Sequence, residues 1–149
     1  MPSVERVSRT DAGLASELRL AVMRLRRRLT TEHDPDNELS VASMSVLGAL
    51  FRHGDLTVGD LAALERVRPP SMTRHVNALE VEGCVVRRPH ESDGRVVMVH
   101  LTDEGRDRVV ADRRRRTEWL ACRLRDLTPE ERDVLRAAAP LLQHLADTE

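Results

Sequence analysis

The Pro69–Pro70 pair is the feature that most constrains how this chain folds. Proline lacks the backbone N–H that a helix interior must donate, but it fits the first turn of a helix, where that donor has no partner. The pair therefore predicts that one helix ends before it and that another begins on it. We place the turn between the two helices near Glu65–Arg68, so that they meet at a tight corner.

The first of these two helices has a clear start signal. Thr57 is followed three residues later by Asp60, a spacing at which the hydroxyl and the carboxylate can each accept a hydrogen bond from a backbone N–H that the helix leaves unpaired. Leu61 and Leu64 then provide an apolar stripe. These residues predict a short helix that begins just after Thr57.

The second helix has an apolar face and a stop signal. Met72, Val76 and Leu79 recur at i, i+4 and i+7, which places them on one side of a helix. Gly83 can end that helix in the left-handed conformation. Two short helices joined by a tight turn are typical of a helix-turn-helix.

The residues on the opposite side of the second helix have the chemistry of DNA recognition. Arginine and asparagine can each bind a base edge in the major groove through two hydrogen bonds, and serine or threonine can bind phosphate. An ordinary solvated helix face is the alternative for any one of them taken alone. The candidate DNA-binding residues of this helix and its start are Arg68, Pro70, Ser71, Thr73, Arg74, His75 and Asn77.

Two β-branched runs, Val85–Arg88 and Val96–Leu101, follow Gly83. The residues between them are rich in turn formers, which predicts a hairpin. A hairpin after a helix-turn-helix is a wing, and an arginine on its narrow tip can enter the minor groove, where the potential is most negative. The candidate DNA-binding residues of the wing are Arg87, Arg88, Asp93 and Arg95.

The segment Asp93–Gly94–Arg95, followed by Leu101–Thr102–x–x–Gly105, resembles the wing signature of the MarR family of bacterial winged-helix transcription regulators. The sequence PSMTRHVNALEVEGCVVR, which starts at Pro70, is similar to that family's recognition helix and first wing strand. The resemblance extends more loosely over nearly the whole chain. It implies a homodimer that binds a near-palindromic operator and is released by a small ligand or by oxidation. We expect Asp93 to orient Arg95 or the wing backbone, because phosphates repel a carboxylate.

The segments outside the winged helix are also helical. A helix that carries an apolar stripe is predicted from Asp11 to Leu29. Ser40 can cap a helix behind the helix-turn-helix, and Thr102 can cap a long helix from Asp103 to Leu127. Thr128 can start the last helix, which has a broad apolar face. We expect the first and last helices to bury their apolar faces against a second copy. The candidate dimerisation residues are Leu14, Leu18, Leu135, Leu141, Leu142 and Leu145.

The sequence thus predicts a mainly α fold: a winged helix-turn-helix with a two- to three-stranded β wing and with dimerisation helices at both termini. The 149 residues suit a single domain. We assign residues 40–102 to the DNA-binding region and residues 11–31 and 103–147 to dimerisation.

The net charge of −1 would argue against a nucleic-acid partner if the charge were spread evenly. It is not, because the segment 66–88 holds five arginines against two glutamates, a local excess of three positive charges. Aromatic residues are almost absent, since Trp119 and Phe51 are the only two. A base-stacking platform for single strands is therefore not expected, and double-stranded DNA is the expected partner.

Other function classes find little support in the sequence. It has no nucleophile–base arrangement, no glycine-rich phosphate loop and no clustered metal ligands, so we expect no enzyme, metal or cofactor. No apolar run approaches the roughly 20 residues that a membrane span needs, and no signal peptide is visible, so a cytoplasmic protein without a membrane partner is expected.

The sequence does not decide the mode of regulation or the partner. The widely spaced Cys84 and Cys122 suit small buried side chains, but a thiol-based redox regulator is an alternative. A winged helix can also act as a protein-interaction module. For a ligand-responsive regulator, the family resemblance implies a small aromatic or phenolic anion as the effector, and no residue identifies its site.

Overall fold

The structure is a computed structural model that describes residues 10–148. Within these residues the chain forms six α-helices and one two-stranded antiparallel sheet. The predicted mainly helical winged fold is confirmed, with two strands in the wing. The elements, in chain order, are α1 Asp11–Thr31, α2 Val41–His53, α3 Val58–Glu65, α4 Pro69–Val81, β1 Val85–Pro89, β2 Val97–Leu101, α5 Asp103–Leu124 and α6 Pro129–Asp147.

The described residues fall into two compact units. The winged-helix unit comprises residues 30–115, and the terminal-helix unit comprises residues 10–29 together with residues 116–148. The predicted single domain also included residues 1–9 and 149, which lie outside the described residues. No helix within residues 10–148 is long and apolar enough to cross a lipid bilayer.

The winged-helix unit has one hydrophobic core, to which both strands and every helix from α2 to α5 contribute. The stripe predicted for α4 lies in it, with Met72, Val76 and Leu79 essentially inaccessible to solvent. The other core residues are Val46, Leu47, Ala49, Leu50, Leu61, Ala62, Cys84, Val85, Val99, Leu101 and Val109.

The predicted helix starts on this unit are confirmed. The side chain of Ser40 accepts a hydrogen bond from the Ser43 N–H at the start of α2. Thr57 and Asp60 form the reciprocal capping box at the start of α3. Two prolines occupy the first turn of α4, so two of its four unpaired N–H groups are absent, and no side chain caps this helix.

The end of α4 turns the chain sharply into the wing. Gly83 has a φ of 74°, the Gly83 N–H donates to the Glu80 carbonyl, and the Cys84 N–H donates to the Leu79 carbonyl. This pair of bonds is the Schellman arrangement, which needs a left-handed residue at the position of Gly83. The predicted role of Gly83 is therefore confirmed.

The wing is an antiparallel hairpin whose register runs from Val85 opposite Leu101 to Pro89 opposite Val97. Its boundaries differ by one residue from the prediction, since β1 includes Pro89 and β2 starts at Val97. Pro89 can end a strand because it lies at the last paired position, where its missing N–H breaks no further bond. A bridge between Leu56 and Val99 joins the segment before α3 to the outer side of β2.

The start of α5 is attached closely to the turn that follows α4. The Thr102 hydroxyl donates to the Gly83 carbonyl at 2.6 Å and accepts from the Gly105 N–H at 3.1 Å. The Thr102 N–H donates to the Cys84 carbonyl at 3.0 Å. A Cβ on Gly105 would lie 2.2 Å from that carbonyl oxygen, so only glycine permits the approach. We call these contacts the Thr102 junction.

The end of α5 differs from the prediction, because the helix stops at Leu124 rather than at Leu127. Residues 125–127 form tighter turns, and the Arg132 guanidinium donates to the carbonyls of Leu124 and Leu127 at 3.3 and 3.1 Å. A cation that binds the last carbonyls of a helix stabilises its end. The capping box of Thr128 and Glu131 then starts α6, as predicted.

The terminal-helix unit buries little of its apolar surface. No described residue of α6 is buried, and in α1 only Gly13 is buried. A cation–π stack joins α1 to α5 within this unit, since the guanidinium of Arg28 lies 4.9 Å from the centroid of the Trp119 ring. Of the predicted dimerisation residues, Leu18 is half-buried and the others are exposed: Leu14, Leu135, Leu141, Leu142 and Leu145.

Replacing Gly105 by alanine is expected to destabilise the protein by about 1–3 kcal/mol, the usual cost of overpacking, because backbone must move to admit the methyl group. Chemical denaturation followed by circular dichroism measures this change. Gly48→Ala in α2 is the matched control: its Cβ would meet only the Arg52 guanidinium, at 3.5 Å, and alanine is the better helix former. Equal stability of the two variants would contradict the close approach at Gly105.

Candidate nucleic-acid interface

The outward face of α4 is open to solvent, as the packing of its apolar face requires. Pro70, Thr73, Arg74 and Asn77 are exposed. Ser71 and His75, the remaining candidates within α4, are half-buried at the edges of this face. A helix with such a face, fixed by a core on its other side, can enter the major groove of DNA.

The candidates at the start of α4 have distinct local roles. Arg68 is exposed and stands at the N-cap position, where its carbonyl accepts from the N–H groups of Ser71 and Met72. The Thr73 hydroxyl donates to the Pro69 carbonyl at 3.0 Å. Because this bond uses the only hydroxyl hydrogen of Thr73, the side chain can still accept a hydrogen bond but cannot donate a second one.

The two arginines at the base of the wing differ from each other. Arg88 is exposed. Arg87 is half-buried, and its guanidinium donates to the Glu80 carboxylate at 2.8 Å and to the Asn77 amide oxygen at 2.7 Å, both on α4. Arg87 therefore connects the wing to the outward face of α4.

The wing tip is shaped by hydrogen bonds within the loop. The Asp93 carboxylate accepts from the Arg95 N–H at 3.1 Å, and the Asp93 carbonyl accepts from the Val96 N–H at 3.0 Å. Asp93 thus holds the backbone that carries Arg95, the orienting role expected from the sequence. The Arg95 side chain is exposed.

Comparison with known proteins identifies this arrangement. The sequence pattern of the MarR family matches residues 39–97. An HTH-type transcriptional regulator of Mycobacterium tuberculosis is 49% identical over 138 residues, which cover 93% of this chain and 96% of that protein. The chain belongs to the MarR family. It is a transcription regulator of the helix-turn-helix type, not an enzyme.

Two further proteins show how far the MarR likeness extends. The crystal structure of a putative transcriptional regulator from Pseudomonas aeruginosa superposes with a TM-score of 0.83 at 38% identity, covering 93% of this chain and 96% of that one. The HTH-type transcriptional repressor MdtR of Bacillus subtilis is 30% identical over 95 residues, or 62% of this chain and 61% of MdtR. The first likeness covers almost the complete chain, and the second covers about three fifths of it.

The two cysteines of this MarR protein have different surroundings. Cys84 is buried in the core, and burial raises the pKa of its thiol. The nearby carboxylates of Glu104 and Glu82 act in the same direction, against the positive charge of Arg108. Because the thiolate is the form that reacts with oxidants, Cys84 is poorly suited to redox sensing. Cys122 is exposed.

An open cleft of about 390 Å³ lies between the loop before α2 and the start of α5. Its lining residues are Asp34, Asn37, Glu104, Asp107, Arg108 and Ala111. Three carboxylates face one guanidinium, and Arg108 is already paired with Glu104 at 3.2 Å. The charge of this cleft disfavours the anionic effector that the family resemblance implies.

Two structural features near the candidate interface could not be predicted from the sequence. Arg66 ends α3 with a φ of 53°, a left-handed conformation that glycine or asparagine usually adopts. The contact of Arg87 with Glu80 and Asn77 joins residues seven and ten positions apart across a turn. No spacing rule for helices or strands pairs such positions, so only the folded chain reveals it.

The burial of Cys84 predicts selective thiol chemistry. A thiol-specific alkylating reagent at neutral pH should modify Cys122 in the folded protein and leave Cys84 unmodified, because the raised pKa lowers the thiolate fraction and the core excludes the reagent. Intact-protein mass spectrometry counts the adducts. In the Cys122→Ser variant we expect no adduct until denaturant is added, and an adduct on that folded variant would contradict the prediction.

Proposed function

We propose that this MarR protein is a homodimeric repressor that binds a near-palindromic operator and blocks the promoter. The observation that carries the proposal is that one compact unit presents both the exposed face of α4 and an exposed wing arginine, Arg95. The relative MdtR is named as a repressor, which supports that sign of regulation. Such a protein acts on DNA in the bacterial cytoplasm.

The proposed contacts follow from the chemistry of each side chain. Arg74 and Asn77 reach base edges in the major groove, and the Ser71 hydroxyl donates to a backbone phosphate. Thr73 lies at the base edges, where its hydroxyl oxygen can accept from an exocyclic amine. Arg95 enters the minor groove from the wing tip, and Arg68 and Arg88 neutralise phosphates. The wing-backbone bond of Asp93 supports a role for Asp93 in positioning Arg95.

The proposed dimer rests on apolar surface that the chain itself does not cover. Within the described part of α6, Leu141 and Leu145 are 65% and 64% exposed. On α1, Leu14 is 50% exposed. Apolar helix faces of this kind are stable in water when a second copy buries them, and a twofold dimer places the same patch on both sides of the interface.

A twofold dimer sets the form of the operator. Two α4 helices related by a twofold axis enter successive major grooves when they are about 34 Å apart, which is one turn of DNA. Each half-site is then read by one subunit, and the two half-sites are inverted repeats. This symmetry is why we propose a near-palindromic operator.

For release, we propose a small effector, with an aromatic or phenolic anion as the class implied by the family resemblance. An effector acts only through its different affinity for the DNA-binding state and for the released state. The acidic cleft at Asp34 and Glu104 does not suit such an anion, so its site is to be sought elsewhere in the dimer. The poor reactivity expected of Cys84 argues against thiol control through that residue.

Replacing Arg95 by alanine should weaken binding to operator DNA at least tenfold, about 1.4 kcal/mol, because each half-site loses one minor-groove cation. Fluorescence anisotropy with a duplex from upstream of the protein's own gene, or with duplexes selected from a random pool, measures this at two salt concentrations. Arg136→Ala, an exposed arginine of α6 paired with Asp133, serves as the charge-matched control. Absence of binding to any duplex by the wild type would refute the proposed function and favour a protein-interaction module.

Replacing Leu141 by glutamate should convert the dimer into monomers and weaken operator binding. In a twofold interface the substitution occurs twice, so two carboxylates would be buried together. Sedimentation velocity at micromolar concentration measures the mass. The control is Val41→Glu, which introduces the same charge at the start of α2, at an apolar residue that is as exposed as Leu141, 65%. A Leu141→Glu protein that remains dimeric would place the interface elsewhere.

A further inference from the structure

Arg87, Asn77 and Glu80 form a small polar network between β1 and α4. The two terminal nitrogens of the Arg87 guanidinium divide between the two partners, one donating to the Glu80 carboxylate at 2.8 Å and the other to the Asn77 oxygen at 2.7 Å. The Arg87 side chain is 29% exposed and that of Glu80 is 43% exposed. The network therefore lies at the edge of the proposed DNA-binding face and reaches directly into it through Asn77.

The chemistry of the guanidinium fixes which end of the Asn77 amide points toward it. Every polar hydrogen of arginine is a donor, and the group has no acceptor. The Asn77 oxygen must therefore face Arg87, because the opposite orientation would set N–H groups against N–H groups. The Asn77 nitrogen, with its two donors, is left for other partners.

This orientation changes what Asn77 can read. A free asparagine binds adenine through both ends of its amide, accepting from the exocyclic amine and donating to N7. With its oxygen bound to Arg87, Asn77 offers the groove a donor. Guanine presents two adjacent acceptors in the major groove, N7 and O6. Adenine also presents N7, but its exocyclic amine stands where guanine has O6 and opposes a donor.

We propose that Arg87 is a positioning residue that fixes the Asn77 amide, so that Asn77 selects guanine and disfavours adenine at one position of each half-site. This inference rests on the proposed function, since it specifies how the same DNA-binding face discriminates between bases. It reassigns Arg87, which the sequence grouped with the DNA-contacting arginines. Glu80 completes the network by holding the guanidinium and neutralising its charge.

The alternative role for Arg87 is direct contact with a phosphate, and lysine separates the two roles. Lysine keeps the positive charge and can bind a phosphate as a point charge, but it lacks the planar fork that holds two acceptors at once. Arg87→Lys should therefore preserve a phosphate contact and disrupt the network. Arg88→Lys, at the neighbouring exposed arginine, is the matched control.

The experiment selects duplexes from a random pool with the wild type and with the Asn77→Ala, Arg87→Lys and Arg88→Lys variants, and sequences the bound fraction. Asn77→Ala identifies the position that Asn77 reads, by the loss of preference there. In the wild type we expect guanine over adenine at that position by about tenfold, and Arg87→Lys should reduce this ratio to about twofold or less. Arg88→Lys should leave it unchanged, and the salt dependence of binding should be the same for Arg87→Lys and wild type.

Several results would overturn the proposal while leaving the proposed function intact. These are a wild-type preference for adenine at the Asn77 position, no position affected by Asn77→Ala, or an unchanged ratio in Arg87→Lys. Thermal unfolding of each variant, followed by the fluorescence of the single residue Trp119, verifies that it is folded. If wild type enriches no duplex at all, the proposed function itself has failed, which is a different outcome.

Discussion

The geometry of the winged-helix unit depends on the Thr102 junction more than on any other contact. Through one hydroxyl and two N–H groups, Thr102 and Gly105 bring the first turn of α5 onto the chain that leaves α4. β2 ends immediately before this point, and β1 begins immediately after Cys84. The junction thus fixes the end of α4, the start of β1 and the end of β2 relative to one another. A missing Cβ at Gly105 is what allows the approach, and hydrogen bonds alone could not create the space.

The junction explains why the wing signature includes Leu101–Thr102–x–x–Gly105 as well as Asp93–Gly94–Arg95. Leu101 lies in the core, Thr102 binds the turn after α4, and Gly105 lies against the Cys84 carbonyl. None of these side chains is free to contact DNA. Their role is to fix the position of the wing relative to α4. A protein needs such a fixed geometry if it is to contact two grooves of DNA at once.

Most of the winged-helix unit could be predicted from the sequence because local rules determine it. The capping box of Thr57 and Asp60, the proline pair and the left-handed Gly83 each require only neighbouring residues, and each was confirmed. Element ends were less accurate where a distant group intervenes: α5 ends three residues early, where Arg132 binds its carbonyls from the following helix.

The candidate site shows the same difference between features set by neighbouring residues and features set by distant ones. The exposed and buried sides of α4 follow from helical periodicity, so the positions of Arg74 and Asn77 could be predicted. What these side chains bind within the protein could not, because Arg87 meets Asn77 only after the chain has reversed at Gly83. Long-range polar contacts have no sequence period, and for this reason the sequence grouped Arg87 with Arg88.

The different surroundings of the arginines also resolve the conflict between a net charge of −1 and a DNA partner. Arg87 shares its charge with Glu80, and Arg108 shares its charge with Glu82 and Glu104. The arginines that remain exposed near α4 and the wing can neutralise DNA phosphates, and the counterions that are then released favour binding. In the proposed complex, affinity and its salt dependence come from these exposed arginines. Base selection comes from an amide whose orientation an inward-facing arginine sets, so the two properties can vary independently.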